Sequence, residues 1–104
     1  MPRFDADTAL RAIAHPRRRQ MLRLVTDSEH TSSDLAKRCR LTRPAASQHL
    51  KILRDADLVS VRSDGNRRLY RLRDDRLAEV LAMLEDFWGD RLNRLRRDLN
   101  RRRR

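Results

Sequence analysis

The chain is poor in several things. It has one cysteine, two glycines and three prolines in 104 residues, and only two of its 26 basic residues are lysines, Lys37 and Lys51. A single cysteine excludes an internal disulfide and fits a reducing compartment. No apolar stretch approaches the roughly 20 residues that a membrane span needs. The opening MPRFDADTAL carries acids where a secretory signal would have an apolar run. A soluble, cytoplasmic protein with no membrane partner is expected. No nucleophile–base set, phosphate loop or metal cluster is visible, and 104 residues leave little room for a cleft, so neither an enzyme, a cofactor nor a small-molecule substrate is expected. Internal repeats and low-complexity linkers are also missing.

What is present is charge. Hydrophobic residues make up 38% and charged residues 39%, with a formal net charge of +11. That is too apolar for full disorder yet lean for a self-sufficient core, so a second copy is expected to supply part of it. The arginine excess suits phosphate and guanine edges. A GC-rich genome would also inflate arginine, so placement along the chain has to decide. A polyanion partner fits the basic balance.

The pattern divides into short segments. Asp5 or Asp7 can cap a helix with the stripe Ala6, Ala9, Leu10 and Ile13, broken at His15-Pro16. Pro16 suits the first turn of a second helix, which runs to about Asp27 and buries Met21, Leu22, Leu24 and Val25. Arg17, Arg18 and Arg19 stand in that first turn, where the helix dipole disfavours them. Either an anionic neighbour holds them or they are simply solvated.

Thr31-Ser32-Ser33-Asp34 has the form of a capping box opening a short helix that buries Leu35 and Cys39. Thr42 caps the next helix, with Pro44 in its first turn, and that helix continues to about Ala56. Two helices joined by so short a turn make a helix-turn-helix over residues 31–56. On the second helix Ala46, Leu50 and Leu53 share an inward face. Thr42, Arg43, Ser47, Gln48, His49 and Lys51 spread donors and acceptors over the front end and the outer side. Short hydrogen-bonding groups between a long Gln and Arg suit base edges in a major groove. His49 fits equally well as a polar contact at the edge of the helix packing.

A β-hairpin follows over residues 58–72. Val59 and Val61 alternate on one strand and Tyr70 and Leu72 on the other, about the turn Asp64-Gly65-Asn66. Arg62, Arg67 and Arg68 flank its tip. The pattern then turns helical over residues 75–99, with Leu77, Leu81, Leu84, Trp88, Leu92, Leu95 and Leu99 in one straight stripe that Gly89 interrupts. This stripe exceeds what a small core can cover. A dimer interface is expected from Leu10, Leu77, Leu81, Leu84, Trp88, Leu92 and Leu95. Residues 1–100 would form one domain. Residues 101–104, all arginine, would form a disordered basic tail that either solubilises the chain or adds phosphate attraction.

AIAHPRRRQMLRLV, LTRPAASQHLKILRDADLV and DGNRRLYRL together resemble the ArsR-type (ArsR/SmtB) family of bacterial winged helix-turn-helix repressors, from about Leu10 to Leu95. The resemblance implies a mainly α fold with a β-hairpin wing, homodimeric through the terminal helices, binding double-stranded DNA at an inverted repeat. It implies base contacts by Ser47, Gln48 and His49, and backbone contacts by Thr42, Arg43, Lys51, Arg67 and Arg68. One metal box of the family, Glu-Leu-Cys-Val-Cys-Asp-Leu, aligns with Glu29 to Leu35, where Thr31 and Ser33 replace both cysteines. Soft metals need thiolates, so that site is absent. The family's other common site uses histidines and acids on the terminal helix, which here has Glu79, Glu85, Asp86 and Asp90 but no histidine, so no metal site is expected. The family's glycines at two helix ends are Arg40 and Asp57 here, and a slightly altered turn is expected at Arg40. Cys39 reads most simply as a small buried residue; a redox role would need an intersubunit disulfide, or an exposed thiolate activated by Lys37, Arg38 or Arg40. Two rivals remain. One is an architectural protein that coats DNA without sequence preference. The other is a protein-interaction module on a winged-helix scaffold.

Overall fold

A computed structural model describes residues 4–102, except for the side chain of residue 92. The elements are α1 (Ala6–Ile13), α2 (Pro16–Asp27), β1 (His30–Thr31), α3 (Ser32–Arg38), α4 (Arg43–Asp55), β2 (Val59–Asp64), β3 (Arg67–Leu72) and α5 (Asp74–Arg102). This is a mainly helical winged helix-turn-helix, with an antiparallel sheet in the order β1-β3-β2. The hairpin register pairs Val61 with Tyr70 and Asp64 with Arg67. Gly65 takes φ 62° in the two-residue turn, a left-handed geometry that glycine adopts without steric cost.

Local chemistry sets the helix starts. Asp5 caps α1, its carboxylate accepting from the Asp7 and Thr8 amides. His15 caps α2, its Nδ1 accepting from the Arg17 amide at 3.1 Å, and Pro16 fills the first helical position. The Thr31 and Thr42 hydroxyls accept from the Asp34 and Ala45 amides, as the sequence predicts.

Two of the three arginines at the start of α2 have a definite answer, while Arg17 donates to Gln20 at 3.3 Å. Arg18 donates from Nε to the Ala12 carbonyl at 2.6 Å and from Nη2 to that of Arg11 at 3.4 Å. Arg19 donates to the Ile13 carbonyl at 2.8 Å. The Ala12 and Ile13 carbonyls are ones that α1 leaves without a backbone partner at its C-terminus, and that of Arg11 already accepts from the Ala14 amide. The anionic neighbour is thus the negative end of the preceding helix.

Ala46, Leu50 and Leu53 of α4, Leu35, Ala36 and Cys39 around α3, and Met21, Leu22 and Val25 of α2 make one core with Leu58, Val59, Tyr70, Leu72 and Val80. Cys39 is fully buried, and burial pushes its thiol above the ordinary range, so the exposed, activated thiolate is ruled out.

Several expectations need correction. β1 was absent from the sequence pattern. It is two residues long and pairs His30 with Tyr70 and Thr31 with Leu69. Periodicity cannot register so short a segment. The turn at Arg40 is not altered: Arg40 and Asp57 both take left-handed geometry, with φ 54° and 62°. Both helices close alike. The Leu41 amide donates to the Ala36 carbonyl, and that of Leu58 to Leu53. The next pair inward is Arg40 to Lys37 and Asp57 to Arg54.

The terminal stripe is not straight either. Gly89 leaves helical geometry (φ 11°, ψ −94°) and kinks α5, at the residue where departure costs least. Nor do the arginines at 101 and 102 belong to a separate tail, since α5 continues through Arg102. The Leu92 side chain and residues 103–104 lie outside the described residues.

Candidate nucleic-acid interface

The inward face of α4 is locked by Ala46, Leu50 and Leu53, each at most 2% exposed. That fixes what points outward. Thr42, Arg43, Ser47, Gln48 and Lys51 are all exposed. Arg43, Ser47 and Gln48 form no side-chain hydrogen bond or ion pair among the described residues, so their donors and acceptors are open to a ligand. Lys51 is paired with Asp55 at 2.8 Å, one turn on. Thr42 already accepts from an amide through its hydroxyl oxygen, which leaves its proton to donate.

His49 sits differently. It is half-buried, its ring centroid 4.5 Å from that of His15. Its Nδ1 lies 3.3 Å from Arg18 Nη1. Burial, and then His15, Arg18 and Arg17, hold its pKa below the ordinary histidine range, so near neutral pH the ring is uncharged and Nδ1 can accept from Arg18. Of the three residues assigned to bases, the structure directs Ser47 and Gln48 outward and brings His49 onto the α1–α2 corner. The alternative reading of His49, a polar packing contact, describes this geometry.

The wing arginines are also unequal. Arg62 is spent within the fold, with Nε 2.6 Å and Nη2 3.0 Å from the two Glu29 oxygens. This fork holds the Glu29 carboxyl below its usual range. Arg67 reaches Asp64 across the turn at 2.9 Å but stays exposed. Arg68 has no ion pair among the described residues. Pattern reading missed Ile52, 43% exposed one turn beyond Gln48 on the same outward side. An apolar residue at that spacing on a polar face was the available signal.

The residues at the family's metal box do not fit a soft metal. Thr31 and Ser33 offer oxygen, and the Thr31 oxygen caps α3. Asp34 is bonded by His30 at 2.6 Å and Arg38 at 2.8 Å, which lowers its pKa, and Glu29 is held by Arg62. Among the described residues, no three His, Cys, Asp or Glu side chains converge as metal ligands.

On α5, Val80 is buried and Leu84 packs against the protomer's own core, as does Leu10 of α1. Leu77 (39%), Leu81 (48%), Trp88 (50%) and Leu95 (57%) are exposed, together with Phe87 (79%) and Leu99 (57%). The outward face of α5 is therefore a row of large apolar groups, and Leu84 and Leu10 belong mainly to the inner face. No helix among the described residues is long and apolar enough to cross a membrane.

This geometry has close parallels. Residues 15–61 match the model of the arsR family of bacterial regulatory proteins. An HTH-type transcriptional regulator of Mycobacterium tuberculosis, Rv2034, is 38% identical over 82 residues, covering 79% of this chain and 77% of the relative. The arsenical resistance operon repressor of Staphylococcus xylosus is 32% identical over 81 residues, 78% of each chain. A crystal structure of a possible transcriptional regulator for arsenical resistance superposes with a TM-score of 0.75 at 42% identity, covering 88% of this chain and 95% of that one. With its winged fold and its outward polar helix, the chain belongs to the ArsR family of bacterial DNA-binding transcriptional regulators.

Proposed function

We propose that this protein is a homodimeric repressor that sets α4 of each copy into adjacent major grooves of an inverted-repeat operator, with the β2–β3 wing on the flanking backbone. The chain acts as one domain, with residues 31–56 as the helix-turn-helix, residues 58–72 as the wing and residues 75–99 as the dimerisation part of α5, whose closing arginines add phosphate attraction. Ser47 and Gln48 read base edges. Thr42, Arg43, Lys51, Arg67 and Arg68 hold phosphates. His49 positions the helix. Regulation uses no metal of the family's thiolate type.

The observation that carries this reading is the exposed, unpartnered Ser47-Gln48 pair on a helix whose opposite face is fully buried. A helix so fixed presents one side at one depth, as base readout requires. The dimer is supported by the exposed apolar row on α5 and by that helix's charge pattern. Before Gly89, α5 has five acids and one arginine; after it, six arginines and two aspartates. Two copies lying antiparallel would set acidic half against basic half.

The test is a footprint at stated salt on DNA upstream of the protein's own gene, with molecular mass measured alongside. Two-fold symmetric protection by a dimer is expected. Gln48→Ala should cost about 1–3 kcal/mol on that site and little on random duplex. Equal loss on both would count against base reading. Protection spread evenly over any fragment would indicate an architectural coat, and no duplex binding at moderate salt an interaction module.

A further inference from the structure

Between the outer side of α4 and strand β3 lies a cleft of about 260 Å³, lined by Ser47, Leu50, Lys51, Arg54, Asp55, Arg68 and Tyr70. We propose that it is a seat for one DNA backbone phosphate, held by Arg54 and Arg68 with the Tyr70 hydroxyl as a third donor. The inference rests on the duplex-binding reading above and adds Arg54 and Tyr70 to it.

Tyr70 is the decisive residue. It is 7% exposed, with its ring in the core, yet it lines the cleft and its hydroxyl makes no hydrogen bond among the described residues. The Tyr70 oxygen is also not a sealed, unsatisfied atom; among the described residues only Arg76 Nε is. So the phenol oxygen is open to solvent with its donor unused, on a residue that lines the cleft. A buried tyrosine normally finds a partner for that proton.

The charge around it is complementary to a monoanion. Asp55, the one acid lining the cleft, is paired with Lys51 at 2.8 Å. Neither Arg54 nor Arg68 has an ion pair among the described residues. Two arginines without ion pairs, from two different elements, a tyrosine with an unused phenol and Ser47 thus border one space. A phosphodiester has two non-bridging oxygens to accept such donors, and arginine forks match that geometry. The cleft also joins the reading helix to the wing. A phosphate seated there would fix the depth of Ser47 and Gln48 relative to the backbone.

The test uses the intact chain and a random-sequence duplex, because a phosphate contact carries no sequence information. Arg54→Gln should weaken binding and lower the slope of log K against log salt by about one, and Arg54→Lys should restore the slope. Tyr70→Phe should weaken binding about two- to tenfold, the fold-change of one ordinary hydrogen bond, with thermal stability unchanged because the lost hydroxyl has no partner. The two changes together should cost less than the product of their single effects.

A wild-type chain that binds duplex while Arg54→Gln keeps its affinity and slope would overturn the seat and leave the duplex-binding reading standing. A wild-type chain that ignores duplex at moderate salt would overturn both. Inorganic phosphate, titrated at constant ionic strength and followed by NMR shifts, separates the sources. Weak, unsaturated shifts support a backbone seat. Saturation that Arg54→Gln abolishes, with duplex binding untouched, would assign the cleft to a free anion and overturn the backbone assignment.

Discussion

Two residues share one backbone geometry and should respond oppositely to glycine. Arg40 and Asp57 close α3 and α4 with φ 54° and 62° and the same pair of amide-to-carbonyl bonds. For an L-residue with a side chain, that region costs roughly 1–2 kcal/mol. The Arg40 side chain is exposed and forms no ion pair among the described residues. Arg40→Gly therefore removes the strain, partly offset by the greater freedom of glycine in the unfolded chain, and should stabilise the protein by about 1 kcal/mol. Asp57 carries a counterweight. Its Oδ1 accepts from Arg73 Nη1 at 2.6 Å. Its Oδ2 lies 3.0 Å from Arg76 Nε, angled as an ion contact rather than a hydrogen bond. These contacts tie the end of the reading helix to the start of α5. Partly exposed charged contacts of this kind contribute about 1 kcal/mol together, and removing one partner leaves Arg76 Nε buried with only the Asp75 carboxylate near it, at 3.9 Å. Asp57→Gly should thus gain nothing or lose up to about 1–2 kcal/mol. Urea unfolding at one fixed protein concentration reads both, since a dimer's stability depends on concentration. In melting temperature, 1 kcal/mol is a shift of about 4–8 °C for a domain of this size. Equal gains for the two glycines would refute the idea that Asp57 is retained for its ion contacts.

Other outcomes follow from the same coordinates. His49 has a folded-state pKa below its unfolded value, so the unfolded chain takes up the proton first; its contribution is present above the unfolded value of about 6.5 and is lost as pH falls below it through the lower folded-state pKa. His49→Gln should flatten the acid-side loss of urea midpoint between pH 7 and 5, and a profile parallel to wild type would acquit the His15–His49–Arg18 cluster. Leu81→Asp places a charge on the exposed row of α5 and should leave the protomer folded but single-copy in sedimentation, with operator binding lost; a persistent dimer would move the interface elsewhere. Cys39 should resist thiol reagents until urea opens the core, whereas labelling within seconds in native buffer would contradict its burial.

Sequence legibility followed burial. Ala46, Leu50 and Leu53 were readable because helical periodicity reports which side of an element meets apolar neighbours, and the helix starts were readable because caps are local chemistry. Contacts between segments distant in the chain left no such trace. Arg18 and His49 are 31 residues apart, and Arg62 and Glu29 are 33 apart. Nothing in local pattern distinguishes an arginine spent on a neighbouring carboxylate from one open to phosphate. For that reason Arg62 and Arg68 looked alike in the sequence and differ in the structure. The kink at Gly89 had a local sign, the glycine itself, but its geometry depends on tertiary context. Arg54 and Tyr70 were hidden for the same reason, since each reads as an ordinary member of its own helix or strand.

His49 shows what this separation means for recognition. Arg18 joins the last carbonyls of α1 to the ring of His49, while His15 caps α2 and packs against that ring from the other side. The front of α4 is therefore held from behind by the same corner that joins α1 to α2. Its far end is held by Asp57 against Arg73 and Arg76 at the root of α5. Both anchors connect α4 to the two helices, α1 and α5, that touch each other along the edge of the protomer. A force on α5 thus reaches the reading helix through both ends, with Leu50 and Leu53 as its buried fulcrum. In the proposed complex, rigid support of this kind would let Ser47 and Gln48 carry specificity, because error in their depth is suppressed before any base is met.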